Sequence, residues 1–284
     1  MSAYAKESQS ARCQSEYDPL QRVLLCPPRF MEIKEVINDV QKRYKDENID
    51  VNKALIQHNS FVEALKQQGI RIDLLEPDDR FPEQVFTRDI GFTIGETVFI
   101  SEMASDIRKG EEVALQNWLE AAGFSLKHLA GHRIEGGDVI IDRDTVYIGV
   151  SSRTSKNSVR ELQQILPDFE VIPIAFNEKY LHLDCVFNIL SPTEALIFPE
   201  ALSLETVQML AERYTLIRVD AKEQFALGTN VLSIGNKKVF SQPNNKNVNK
   251  QLTARGYDVI EVDFSEIIKS GGAFRCCTLP IIRQ

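Results

Sequence analysis

Long apolar runs are missing from this 284-residue chain. None approaches the ~18 residues that a membrane-spanning helix needs. The first thirty residues lack the apolar core of a secretory signal, and a cytoplasmic location is expected. Cysteines number five. An odd count without a secretory signal predicts reduced thiols and no disulfide framework. Cys-x-x-Cys and EF-hand spacings are absent, and His132 of the single His-x-x-x-His spacing, His128 to His132, reads as loop surface, so no metal site is expected. Gly-rich phosphate loops of the Walker and dinucleotide types are absent too, so no nucleotide cofactor is expected. Positive charge falls short: 33 Lys and Arg stand against 41 Asp and Glu, a net charge of −8. Such a surface repels phosphate backbones and anionic lipids, which argues against nucleic acid or a membrane as partner. With 43% hydrophobic residues, 14 Gly and 11 Pro, the composition excludes disordered and collagen-like chains.

What the chain does contain is a repeat. Short apolar hairpins return at 90–101, 138–149, 185–198 and 230–241, and helical patterns follow at 110–122, 158–166, 204–213 and 247–255. Further upstream, Arg22 to Cys26 and Arg71 to Leu75 read as strands. The stretch from Val40 to Gln67 reads as helix, interrupted at Asp46 to Asp50. The residues just before each first strand are Asp89, Asp138, Asp184, Asn230 and Cys276, separated by 49 residues and then by 46 three times. A period of this length marks an array in which no unit buries its apolar face alone.

The fifth unit breaks off at Gln284, and Arg22 to Cys26 is the strand available to complete it. Closure would remove exposed sheet edges. The prediction is one closed α/β domain over 17–284, a pseudo-fivefold propeller, preceded by a loose tail over 1–16. Length alone would have suggested two domains.

In a ring, equivalent positions converge on the axis. Asp89, Glu135 with Asp138, His182 with Asp184, Asn230 and Cys276 should therefore share one pocket. Several acids around one axis repel one another and suit a cationic ligand with planar N–H donors. Taken singly, each acid is more simply a turn cap; their common register favours function. His182 is one of four histidines, and strand alternation would place it on one face with Asp184, suited to proton transfer. Cys276 follows a flexible Gly-Gly at the converging position, and Cys277 should face the opposite side of a strand. Cys13 and Cys26 read as inert core residues. Asn230 reads as support for the loops. Arg153 could meet a ligand carboxylate in a bidentate contact, set against an equal expectation of a surface arginine.

At these residues the sequence resembles the guanidino-group-modifying (pentein) superfamily, especially dimethylarginine dimethylaminohydrolases and arginine deiminases. The signposts are Phe86-Thr-Arg-Asp89, Glu135-Gly-Gly-Asp138, Ser152-Arg-Thr154, His182-Leu-Asp184 and Gly271-Gly-x-x-Arg-Cys-Cys-Thr278, spread over almost the whole chain. The resemblance implies a fivefold ββαβ propeller with neither metal nor organic cofactor. It implies that Cys276 attacks a guanidino carbon while Asp89, Glu135 and Asp184 hold the cation. His182 would protonate the departing amine and then activate water against a covalent thiouronium, giving a ureido product such as citrulline.

Three departures stand out. Ser101-Glu102-Met103 occupies the place where compact dimethylarginine hydrolases carry an arginine, leaving Arg108 as a substitute for the substrate carboxylate. Glu83 stands where relatives contact substrate through Asp or Asn. His182-Leu-Asp184 looks like deiminases and amidinotransferases, and an unpaired Asp184 would favour a guanidine with a free terminal nitrogen. Alternatives are amidino transfer to an amine and a non-catalytic guanidinium-binding protein. The expected partner is a small cationic guanidino compound, and a homodimer is left open.

Overall fold

The computed structural model describes residues 10–129 and 131–284. After β1 (Leu20–Leu25) come α1 (Asp39–Tyr44), α2 (Val51–Gln67) and β2 (Arg71–Leu74). Three units of strand, strand, helix, strand follow. They are β3 (Gly91–Ile94), β4 (Thr97–Ile100), α3 (Glu111–Ala122) and β5 (Leu126–His128); then β6 (Val139–Asp142), β7 (Thr145–Val150), α4 (Lys156–Ile165) and β8 (Glu170–Ala175); then β9 (Phe187–Ser191), β10 (Glu194–Ile197), α5 (Leu204–Arg213) and β11 (Thr215–Arg218). A short α6 (Ala221–Phe225) precedes the fourth unit of β12 (Leu232–Gly235), β13 (Lys238–Ser241), α7 (Lys246–Ala254) and β14 (Asp258–Glu261), and β15 (Leu279–Arg283) ends the chain.

These strands form five three-stranded sheets, and in each the middle strand runs antiparallel to one neighbour and parallel to the other. The fifth sheet is β15-β1-β2, with Val23 opposite Pro280 and Leu24 opposite Leu279. The N-terminal strand thus completes the last unit, as expected. The fold is a pseudo-fivefold pentein propeller.

The inner strands are buried almost throughout, as in β3, whereas the parallel third strands such as β2 and β14 are half exposed. Short strands bearing charge on their open side suit sheet edges. Phe61 of α2 packs edge-on against Phe240, Phe264 and Phe274, at centroid distances of 5.2, 5.1 and 5.3 Å. Such aromatic contacts are worth about 0.5–1.5 kcal/mol each beyond area burial. They anchor the segment leading from Phe274 into Cys276.

The loose tail expected over 1–16 is corrected over its second part, and residues 1–9 lie outside the described residues. Ala11, Cys13, Ser15 and Glu16 are buried, and Arg12, Cys13 and Ser15 bridge to Ile282, Gly95 and Asp142. Glu16 is the buried acid that Arg88 and Arg275 require, at 3.5 and 3.1 Å. A polar composition concealed this role, because buried arginines need polar partners.

Candidate active site

Five segments lead into the innermost strands, and backbone and amide contacts link them in a circuit. Gly136 N donates to Asp89 O (3.1 Å), and Leu183 N donates to Asp138 Oδ1 (2.8 Å). Asn230 Nδ2 donates to Asp184 O (3.5 Å), and Asn230 Oδ1 accepts from Cys276 N (3.1 Å). Arg88 N donates to Cys276 O (3.0 Å), which returns the circuit to its start. The five register positions read from sequence therefore do converge.

His182 is fully buried. Its Nε2 lies 2.6 Å from Glu135 Oε2, and its Nδ1 lies 3.5 Å from Asp89 Oδ1. Both Nδ1 and that oxygen are buried without a hydrogen-bond partner. A Cβ on Gly137 would lie 2.6 Å from Nδ1 and 2.8 Å from Oδ1, so only glycine lets the backbone come this close to the pair. Burial pulls the imidazole pKa down, but the Asp89 charge and the Glu135 hydrogen bond outweigh it and push it up to about 10. His182 is thus an imidazolium at neutral pH. Glu135 is held down at about 2 against the upward pull of burial, chiefly by His182 and Arg153. Its other oxygen accepts from Ala104 N (2.9 Å).

Cys276 is 2% exposed. Asn230 Nδ2 donates to its Sγ (3.1 Å), and Asp184 Oδ2 lies 3.6 Å away. The neighbouring Cys185 thiol, burial, and the Asp184 and Asp89 charges together raise its pKa well above the ordinary thiol value. The resting group is a thiol. Upstream, a Cβ on Gly272 would meet the Phe86 ring and lie 3.0 Å from Cys276 Cβ, which requires glycine there.

Several expectations change. Leu181 to Asp184 is not a strand: His182 is extended, and a 3₁₀ turn over Leu183–Cys185 sends Asp184 elsewhere. Asp184 pairs with Arg275 Nη1 (2.6 Å), so it presents no unpaired carboxylate to a substrate nitrogen, and the preference for a free guanidino terminus loses its basis. Cys276 and Cys277 lie in a turn and not on opposite faces of a strand. Cys277 N donates to Ala273 O (2.9 Å), and β15 begins only at Leu279. Glu83 is buried, but its carboxylate is occupied by Gln41 Nε2 (2.7 Å) and Ser270 Oγ (2.9 Å).

Arg108 is no clamp for a substrate carboxylate, being buried against Asp89 Oδ2 (2.6 Å) and Glu111 (2.7 Å). Nor do the acids stand as an uncompensated cluster: Arg108, Arg275, Arg153 and His182 are their internal counterions. Arg153 is mostly buried, with Nη2 donating to Ile37 O (3.1 Å) and Nη1 3.5 Å from Glu135 Oε1. It borders a recess of about 360 Å³ shared with Asn38, Asp39, Glu178 and Lys179. A second recess of about 190 Å³ reaches Cys185 and Gly271.

Sequence reasoning missed the direct contact of Asn230 with the thiol, and it missed Arg275 and Arg108 as partners of the acids and Glu16 as the acid beside Arg275 and Arg88. For Asn230 the repeat register was the available signal.

A propeller of five such sheets, with a buried thiol, imidazolium and carboxylates where they meet, defines a guanidino-group hydrolase of the pentein superfamily. Known proteins agree. The chain belongs to the family described as N,N dimethylarginine dimethylhydrolase, eukaryotic, which it matches over residues 27–283. It is 51% identical over 278 residues to the uncharacterized protein YkgA of Bacillus subtilis, covering 98% of this chain and 97% of that one. Identity to the N(G),N(G)-dimethylarginine dimethylaminohydrolase of Mycobacterium tuberculosis is 27%, over 92% of this chain and 85% of that one. Among solved structures, the N-terminal domain of ArgZ, a cyanobacterial arginine dihydrolase bound to its substrate, superposes with a TM-score of 0.85 at 26% identity, covering 92% of this chain and 98% of that one. Among the described residues, no helix is long and apolar enough to cross a membrane.

Proposed function

We propose that the protein is a cysteine hydrolase that cleaves a guanidino C–N bond of arginine or an Nω-methylated arginine. The products are a ureido compound such as citrulline and ammonia or an alkylamine. The observation that carries this reading is the buried pair of Asp89 Oδ1 and His182 Nδ1, 3.5 Å apart and each without a hydrogen bond, in the same circuit as the Cys276 thiol. An N–H of a guanidinium entering that corner donates to Oδ1, and its carbon meets the sulfur.

The resting thiol releases its proton to solvent as the cation binds, because a positive charge beside Asp184 and Asp89 offsets the carboxylates that hold it protonated. The thiolate adds to the guanidino carbon. Protonated His182 gives its proton to the departing nitrogen, whose C–N bond breaks, leaving a thiouronium on Cys276. Neutral His182, oriented by Glu135, then takes a proton from water as the water attacks. Collapse of that adduct expels the thiolate and releases the urea. Asn230 steadies the sulfur throughout, and Arg153 is the candidate for a substrate carboxylate.

A panel of guanidino compounds assayed for ureido product tests the reading, run with and without an amine such as glycine. Ureido product whose yield ignores the amine supports hydrolysis. Transfer of the amidino group to the amine supports the amidinotransferase alternative, and binding without product supports a non-catalytic guanidinium receptor.

A further inference from the structure

Arg108 brings the chain's own guanidinium against Asp89. Its Nη1 donates to Asp89 Oδ2 (2.6 Å), its Nε and Nη2 donate to Glu111 Oε2 (3.1 and 2.7 Å), and Nη2 also reaches the carbonyl oxygens of Glu83 (3.4 Å) and Phe86 (3.3 Å). The side chains of Arg108, Asp89 and Glu111 are 1%, 2% and 0% exposed. A guanidinium so enclosed is a fixed part of the fold, because withdrawing it would leave two buried carboxylates unpaired. It does not compete with a ligand; it occupies one oxygen of Asp89 and leaves the other, Oδ1, without a hydrogen bond, 3.5 Å from His182 Nδ1.

We propose that Arg108, held by Glu111, is a positioning residue that turns the Asp89 carboxylate so that a single oxygen faces the reacting group, an inference that rests on the guanidino-hydrolase reading above. Asp89 then accepts one N–H of the substrate and cannot embrace two N–H groups in the parallel fork that free carboxylates prefer. A parallel fork would let the guanidinium rotate into the plane of the carboxylate. Single contact leaves the guanidino carbon free to turn towards Cys276. Glu111 sits at the first turn of α3, so the setting of Asp89 is transmitted from the helix of its own unit.

Arg108→Lys separates this role from simple structural support, because an ammonium keeps the charge but cannot span Asp89 and Glu111 with a planar fork. The expected result is a folded variant in which kcat falls roughly ten- to a hundredfold, the scale of a misplaced reacting group, while KM for the guanidino substrate stays level or falls. Glu111→Gln should show the same split more weakly. In a crystal structure of Arg108→Lys, the Asp89 carboxylate should be rotated from its wild-type setting. Wild-type kcat in the folded variant, or a rise in KM with kcat unchanged, overturns the proposal. So does an unmoved Asp89. The hydrolase reading is judged apart, by whether the wild-type protein yields ureido product. Should it yield none, the orientation of Asp89 in the variant crystal still decides whether Arg108 sets it.

Discussion

Cys276 and Cys277 are neighbours in sequence and both buried, yet only Cys276 lies between an amide donor and a carboxylate. Cys276→Ser should abolish turnover. Cys277→Ser should retain most of it, but this variant places a hydroxyl in the apolar core, a cost of about 1–3 kcal/mol, so its melting temperature should drop by several degrees. Equal loss of activity in the two variants, each assayed while folded, would move the nucleophile. His182→Ala should lower turnover at least about a hundredfold, the scale of a general acid–base group, and a value within about threefold of wild type would remove it from the chemistry. The register made these residues legible in sequence. Their partners were not: Arg108 pairs with Asp89 and Glu111, Arg275 pairs with Glu16 and Asp184, and no local spacing announces a contact between Arg275 and Asp184, 91 residues apart. The charge argument from sequence counted the acids without these cations.

Elements were read unevenly, for physical reasons. The hairpins were legible because their strands are apolar and buried on both sides. The third strands β5, β8, β11 and β14 escaped because they are largely exposed or half exposed and, β8 apart, only three or four residues long, and parallel pairing leaves no tight turn to mark them. The segments at the axis are turns, so strand alternation misplaced Asp184 and Cys277. Glu83 shows what a turn can do instead. It joins Gln41 of α1 to Ser270, on the segment before Cys276. Burial, opposed by Arg108 and Ser270, pushes its carboxyl up from 4.5 to about 7. A carboxyl raised in the folded state gives stability that is present at low pH and lost as pH rises through that value. Glu83→Gln should therefore gain melting temperature relative to wild type as pH goes from about 5.5 to about 8.5. A difference that ignores pH would show that Glu83 is ionised throughout. A rise in KM without that pH trend would return it to the substrate site.

The molecule as a whole is closed by its ends. β1 and β15 share a sheet, and residues 11–16 run beside the axis, where Glu16 meets Arg275 and Arg88. The closure was legible because the repeat lacked one strand and one unassigned strand remained. The buried role of Glu16 was not, since a polar segment near a terminus resembles a free tail. Removing one partner from a buried ion pair costs about 3–5 kcal/mol, so Glu16→Ala should lower the unfolding free energy by that order in urea titration. A loss under about 1 kcal/mol would place Glu16 with ordinary surface pairs.

The central claim is that guanidino cleavage passes through Cys276. Its most direct test is the mass of intact protein quenched during turnover of the best guanidino substrate, followed by peptide mapping. The expected result is an adduct equal to the substrate less its departing amine, mapped to Cys276 and missing from Cys276→Ser. Ureido product forming with no adduct on Cys276, or with the adduct on Cys277, would contradict it.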